Sequence, residues 1–214
     1  MFVAKRMTSN PKVIEPAATI ADASETMRKN KIRRLPVVDK GRLVGIVTDR
    51  DLRSVSPSPA TTLSIFELNY LLAKMQVKDI MHKDVVTINV GATIEEAALT
   101  MSNHHIAGLV VVDAGGAVVG IITETDIFNS FVEIMGLREG KTRFTFSVTD
   151  QVGVLHEITQ VFKDLSINIS SLASYTTEDG TGELVIRFNA GDTKDLTERL
   201  TAIGYPPQHS VQIG

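Results

Sequence analysis

The sequence contains no cysteine and no tryptophan, and only 5% of its residues are aromatic. Without cysteine there can be no disulfide, no thiol nucleophile and no cysteine-ligated metal, a composition that fits a reducing compartment. Long apolar runs are also missing, since none approaches the ~20 residues that a membrane-spanning helix needs. The opening MFVAKRMTSNPK places its charges inside a brief apolar stretch and then reaches Pro11, so it does not read as a signal peptide. A soluble, cytoplasmic protein is expected. Glycine (15) and proline (7) are too few for a fibrous or low-complexity chain, and 43% apolar residues against 22% charged ones describe a folded protein. At 214 residues the chain can form one large domain or several small ones, each with its own core.

A net charge of −3 conceals an uneven distribution. Residues 1–53 carry 12 Lys and Arg against 6 Asp and Glu, whereas residues 54–140 carry 4 against 10. A nucleic-acid interface would need a broader basic excess with exposed aromatics. The basic segment instead suggests a local anion site or a complementary interface.

The chain is a tandem repeat. Met7 matches Met81, Thr19-Ile20 match Thr93-Ile94, Met27 matches Met101, and LPVVD at 35–39 matches LVVVD at 109–113, all offset by 74 residues. The offset becomes 75 from Gly45 and Gly120 onward, because AGG at 114–116 replaces KG at 40–41, where a hairpin turn tolerates insertion. Thr19 and Thr93 are expected N-caps, with Glu96 completing a capping box. Ile20, Ala23 and Met27, like Ile94, Ala97 and Met101, have helical spacing, and the β-branched segments after them read as hairpins. A helix is expected from Asp51 and from Asp126. Each repeat is thus β-α-β-β-α. SVSPSPATT reads as a loop and SIFELNYLLAKM (64–75) as a helix. The tail after Gly136 reads as β-α-β-β-α-β, with a hairpin turn at EDGTG, the order of a ferredoxin-like sandwich. The α/β fold divides into a first repeat at 1–56, a linker with its helix at 57–76, a second repeat at 77–136 and the tail domain at 137–214.

The doubled segment resembles a pair of CBS domains through Gly45-Ile46-Val47-Thr48-Asp49-Arg50-Asp51 and Gly120-Ile121-Ile122-Thr123-Glu124-Thr125-Asp126. The tail resembles an ACT domain through Asp150-Gln-Val152-Gly153-Val154-Leu155 and Ile167-Asn168-Ile169, although ACT domains commonly have proline where Val152 stands. The combination is similar to the bacterial acetoin-utilisation CBS-ACT family, and implies regulation more than catalysis.

A carboxylate at a strand-to-helix corner can accept hydrogen bonds from ribose hydroxyls, and a threonine three residues earlier can meet phosphate. Asp51 and Asp126 are therefore candidate ribose ligands, and Thr48 and Thr123 candidate phosphate ligands; the plain alternative is that they cap helices. Asp49, replaced by Glu124 in the second copy, reads as exposed. Arg33 and Arg34 are replaced by Ala107 and Gly108 in the second repeat, so one cleft should favour phosphate, unless the arginines form only a solvated surface. The resemblance places an apolar adenine slot at Val13, Ile14, Pro36 and Val37, with Val85, Val86, Leu109 and Val110, though ordinary core packing would also explain them. In the tail, Asp150, Val152, Gly153, Val154, Leu155 and Asn168 would form the amino-acid site of an ACT domain, at a subunit interface, or serve only its packing.

Signals for catalysis are thin: His104 and His105 are adjacent and face different directions, and no Ser-His-acid set or P-loop lysine is recognisable. No metal site is expected. The leading reading is a homodimeric sensor whose regulatory ligand is AMP, ADP or ATP, with S-adenosylmethionine or NADH as further possibilities, acting on an unidentified protein partner. The competing reading is an adaptor whose domains serve assembly alone.

Overall fold

The structure, a computed structural model, describes residues 1–55, 74–138, 142–149, 151–176 and 181–212. The expected linker helix, apart from its last two residues, lies outside them, as do Asp150 and most of the EDGTG turn. Two compact units divide the chain, Met1–Ile127 and Phe128–Gly214.

In the first unit, Thr19 caps α1 (Ile20–Asn30) in a reciprocal box with Asp22, and Thr93 caps α3 (Ile94–His104) in the same way with Glu96. Both expected N-caps and the Thr93–Glu96 box are thus present, and the first repeat adds a box of its own through Asp22. Both helices end on a left-handed residue, Lys31 (φ 53°) and His105 (φ 52°). The hairpin β2 (Arg34–Asp39) and β3 (Arg42–Thr48) turns through Lys40 and Gly41, both at positive φ, as a two-residue turn of right-handed twist requires. Its counterpart, β5 (Gly108–Val112) and β6 (Val118–Thr123), turns around Asp113, whose Oδ1 accepts from the N–H groups of Gly115 and Ala117 at 2.9 Å. The extra residue in the second copy is absorbed in this loop.

One expectation needs correction. Helices α2 (Asp49–Ser54) and α4 (Glu124–Ile134) begin two residues before Asp51 and Asp126. At α2 the cap is Thr48, with Asp51 the third helical residue of the box. Both repeats keep the β-α-β-β-α order, but their first strands pair differently: in the second repeat β4 (Thr87–Asn89) runs parallel to β5. At the same place in the first repeat there is a single parallel bridge, Ile14 to Val37. Its N-terminal strand, β1 (Thr8–Ser9), leaves the repeat altogether and pairs with β6 through Thr8–Ile121 and Ser9–Gly120.

That departure is half of an exchange. Val3, in a 3-10 turn at Val3–Lys5, is fully buried in the apolar cluster of the second repeat with Ile94, Ala97, Leu109 and Ile122. Val77, in the matching turn Val77–Asp79, is fully buried in the cluster of the first repeat with Ala23, Leu35 and Val47. Backbone bonds repeat the symmetry: the Val3 N–H donates to Ala92 and the Val77 N–H to Ala18. The glycines opening the two motifs make room for the crossing segments. A Cβ on Gly45 would lie 2.6 Å from Met81 Sδ and 3.0 Å from the His82 carbonyl, and one on Gly120 would run into Met7 Sδ.

The second unit has the expected ferredoxin-like order. Strands β7 (Thr142–Thr149), β8 (Ile169–Thr176), β9 (Thr181–Phe188) and β10 (His209–Gln212) form one antiparallel sheet in the order β10-β7-β9-β8. Helices α5 (Val154–Asp164) and α6 (Lys194–Ala202) cover one face through Ile158, Phe162, Leu196 and Leu200 against Phe144, Phe146 and Phe188. Edge-to-face ring contacts at 4.9 and 5.2 Å link Phe188 to Phe144 and Phe162.

Candidate nucleotide site of the first unit

Each repeated motif ends a β-strand at a helix start, and the threonine and aspartate meet there. Asp51 Oδ2 accepts from the Thr48 N–H at 2.8 Å and from its hydroxyl at 2.7 Å, while the Thr48 oxygen accepts from the Asp51 N–H at 3.3 Å. Asp126 Oδ2 accepts from the Thr123 N–H and hydroxyl, both at 2.8 Å. With its proton directed at the aspartate, either threonine must turn away from its carboxylate before it can donate to a phosphate. The capping alternative therefore describes the arrangement seen, and any ligand has to engage groups that already hold each other.

The two corners are unequal. Asp51 Oδ1 accepts from His82 Nε2 at 3.0 Å, a contact supplied by the crossing segment. The position equivalent to His82 in the other half is Thr8, opposite Ile121 as His82 is opposite Ile46. Burial alone would raise the Asp51 pKa, but the Thr48 hydroxyl and N–H, joined by His82, outweigh it and hold the carboxyl below its ordinary 3.8. Sequence reasoning missed His82 because its 31-residue distance from Asp51 is bridged only by the exchange. Asp49, expected to be exposed, is half-buried and forms an i,i+4 ion pair with Arg53.

A cleft of about 470 Å³ opens between the first hairpin and the second motif, and is lined by Lys12, Lys31, Arg33 and Arg34 with Thr123 and Glu124. Its size suits a nucleotide-scale ligand. The arginines thus join the threonine of the second repeat in one cleft. Arg34 lies within the fields of both Glu124 and Asp49, the first residues of α4 and α2. Burial and the neighbouring Arg33 lower its pKa, but a guanidinium still stays charged. Gly108 makes room for it: a Cβ there would lie 3.3 Å from Arg34 Nε. The glycine that replaces the second arginine in the second repeat thus lies close against the arginine of the first.

The apolar candidates divide. Ile14, Val37 and Leu109 belong to the core clusters, and Val13 is 47% exposed. Pro36 and Val110 are buried on the opposite side of their strands from Leu35, Val37, Leu109 and Val111. Val85 and Val86 are half-buried.

In the second unit, Gly153 takes φ 104° and precedes α5, and Gln151 through Gly153 are exposed. Val154 is half-buried and Leu155 and Asn168 are exposed, so these residues line no enclosed site within the unit. Val152 is fully exposed and Asp150 lies outside the described residues. Among the described residues no group of His, Asp and Glu could hold a metal ion, and no helix is long and apolar enough to cross a membrane.

The CBS domain profile matches residues 3–58 and 77–133, and the ACT domain profile matches residues 142–204. The chain belongs to the CBS domain family. It carries tandem CBS domains followed by an ACT domain. Among solved structures, a putative acetoin utilization protein from Vibrio cholerae is 31% identical, with a TM-score of 0.53 over 65% of this chain and 96% of that one. CBSX2 from Arabidopsis thaliana, solved in complex with AMP, is 29% identical, with a TM-score of 0.52 over 62% of this chain and 97% of its own. The CBS domain pair of protein MJ0100, in complex with 5-methylthioadenosine and S-adenosyl-L-methionine, is 30% identical, with a TM-score of 0.51 over 61% of this chain and 99% of its own.

Proposed function

We propose that this CBS-ACT protein is a regulatory sensor that binds an adenine nucleotide in the CBS unit and passes its occupancy to a partner protein. The observation carrying this reading is the cleft that gathers Lys12, Lys31, Arg33 and Arg34 beside Thr123. Four cations facing one carboxylate, Glu124, favour an anionic ligand, and guanidinium groups match phosphate oxygens. That CBSX2 and MJ0100 were solved with adenosine-containing ligands supports an adenosyl group as the rest of the molecule. Asp126 is the proposed ribose ligand of this cleft and Asp51 that of the opposite corner. Signalling requires unequal affinity for two conformations, and the threonine-aspartate contacts that a ligand must open are a source of that difference.

A homodimer is part of the proposal, with Phe128, Phe131 and Ile134 as its apolar stripe along α4, each 47–68% exposed. Amino-acid binding at the Val152–Leu155 turn with Asn168 and a role in acetoin utilisation rest on resemblance. Assembly without a ligand is the second reading. It is favoured by the fact that both aspartates are already satisfied as helix-start acceptors.

Titration calorimetry with AMP, ADP, ATP, S-adenosylmethionine and NADH distinguishes the readings. Saturable heat with at least one ligand, weakened in Asp126→Ala or Asp51→Ala, is expected. Absence of heat from all five, with a control nucleotide binder responding, would leave the assembly reading standing.

A further inference from the structure

We propose that the sheet face of the ACT unit opposite its helices holds a second, independent anion site, built on Arg187 and Arg143 and selective for a small organic carboxylate. The alternation of β7 and β9 turns Phe144, Phe146, Leu184, Ile186 and Phe188 into the helix-covered core. Arg143, Thr145, Val185 and Arg187 therefore project from the other face. Arg143 and Arg187 stand directly opposite each other in the β7–β9 register, and like charges in that position repel.

Arg187 is only 6% exposed, and neither its Nε nor its Nη1 has a hydrogen-bond partner. Among the described residues neither arginine forms an ion pair. Burial first, and Arg143 second, disfavour the charge on Arg187, yet a guanidinium does not lose its proton in a protein. A buried guanidinium with two unpartnered nitrogens beside a second cation is costly, and an anion placed between the two arginines removes that cost.

The surroundings indicate what kind of anion. Arg143 Nη1 donates to Thr145 Oγ1 at 2.7 Å, so the Thr145 hydroxyl proton remains to be given to an acceptor. Ser171, the neighbour of Arg187 across β8, donates instead to the Met135 carbonyl at 2.8 Å, which fixes the turn after α4 beside this row of the sheet. Val185, 4% exposed, and Ala173 opposite it form an apolar border. Two guanidiniums and one hydroxyl beside an apolar border fit a carboxylate with a short hydrocarbon tail better than a fully hydrated phosphate. Because Nε and Nη1 are themselves buried, the Arg187 side chain must shift for an anion to reach them.

Thermal unfolding of the full chain, followed by circular dichroism at constant ionic strength, tests the proposal with sodium butyrate, acetate, phosphate and chloride as probes. Butyrate and acetate should raise the melting temperature saturably and more than phosphate, with chloride inert. Arg187→Met should abolish the response. Arg143→Gln should weaken it by about tenfold, the scale of one charge-assisted hydrogen bond. Arg33→Ala with Arg34→Ala should leave it intact, which separates this site from the nucleotide cleft. Equal effects of all four salts, a stronger arginine-dependent response to phosphate, or a carboxylate response retained in Arg187→Met would each overturn the assignment. If Arg187→Met does not fold, Arg143→Gln decides alone, and an unchanged butyrate response in it refutes the site.

Discussion

His82 Nε2 lies 3.0 Å from Asp51 Oδ1, so the acid of the first motif is held by a residue that precedes the second repeat's own strand. The pair ties the crossing segment to the start of α2 and leaves Asp51 with partners on both carboxylate oxygens.

Because Asp51 is held below the ordinary carboxyl value of 3.8, its contribution to stability is complete above that value and is lost as the pH falls through the lower folded-state pKa. Urea unfolding at about pH 6 and about pH 3 should show a smaller acid loss in Asp51→Asn than in the wild type. Identical losses would mean that this carboxyl does not couple to folding.

Replacing both Arg33 and Arg34 by alanine should weaken ATP binding by roughly 1.5–3 kcal/mol for each charged hydrogen bond lost, while adenosine binding changes little. Calorimetry with the two ligands reads the difference. Equal losses would remove the arginines from any phosphate contact.

Gly45→Ala should destabilise the CBS unit by about 1–3 kcal/mol, the usual range for overpacking. Combining it with Met81→Ala should recover part of this, because Met81 Sδ is the nearest obstruction, and only part, because the His82 carbonyl stays 3.0 Å from the added carbon. Chemical denaturation of the four proteins of this cycle measures the coupling, and strict additivity would contradict the packing described.

Val3→Ala removes buried methyl groups from the cluster of the second repeat, and should cost roughly 1–3 kcal/mol. Hydrogen exchange should rise in β6 and α3 more than in β2 and β3. The reverse pattern would show that Val3 supports its own repeat.

What could be read in the sequence was local or periodic. Thr19 and Thr93 announce their helices by side-chain chemistry within four residues, and Lys40-Gly41 announces its turn by conformational preference. The ferredoxin-like order of the tail follows in the same way from alternating patterns. The helix starts were misplaced because Thr48 and Asp51 are both good cap residues, and only the folded backbone shows that the threonine caps while the aspartate closes the box. The exchange was hidden in a symmetric way. Val3 and Val77 occupy equivalent positions, so the aligned repeats look the same whether each valine fills its own core or the other's. The contact of His82 with Asp51 comes from that exchange, and the meeting of Arg33 and Arg34 with Thr123 from the packing of one repeat on the other; neither is visible in the sequence.

The crossed segments also set an order of events during synthesis. Residues 1–9 are synthesised about a hundred residues ahead of their partners, Ile94, Leu109 and Ile122 among them. Until residue 77 is made the first hairpin lacks Val77, and until the second repeat is made the leading segment has nothing to cover it. Each half therefore completes its core only with a segment borrowed from the other. A polypeptide that stops between the repeats would leave apolar surface of both crossing partners uncovered, a solubility hazard.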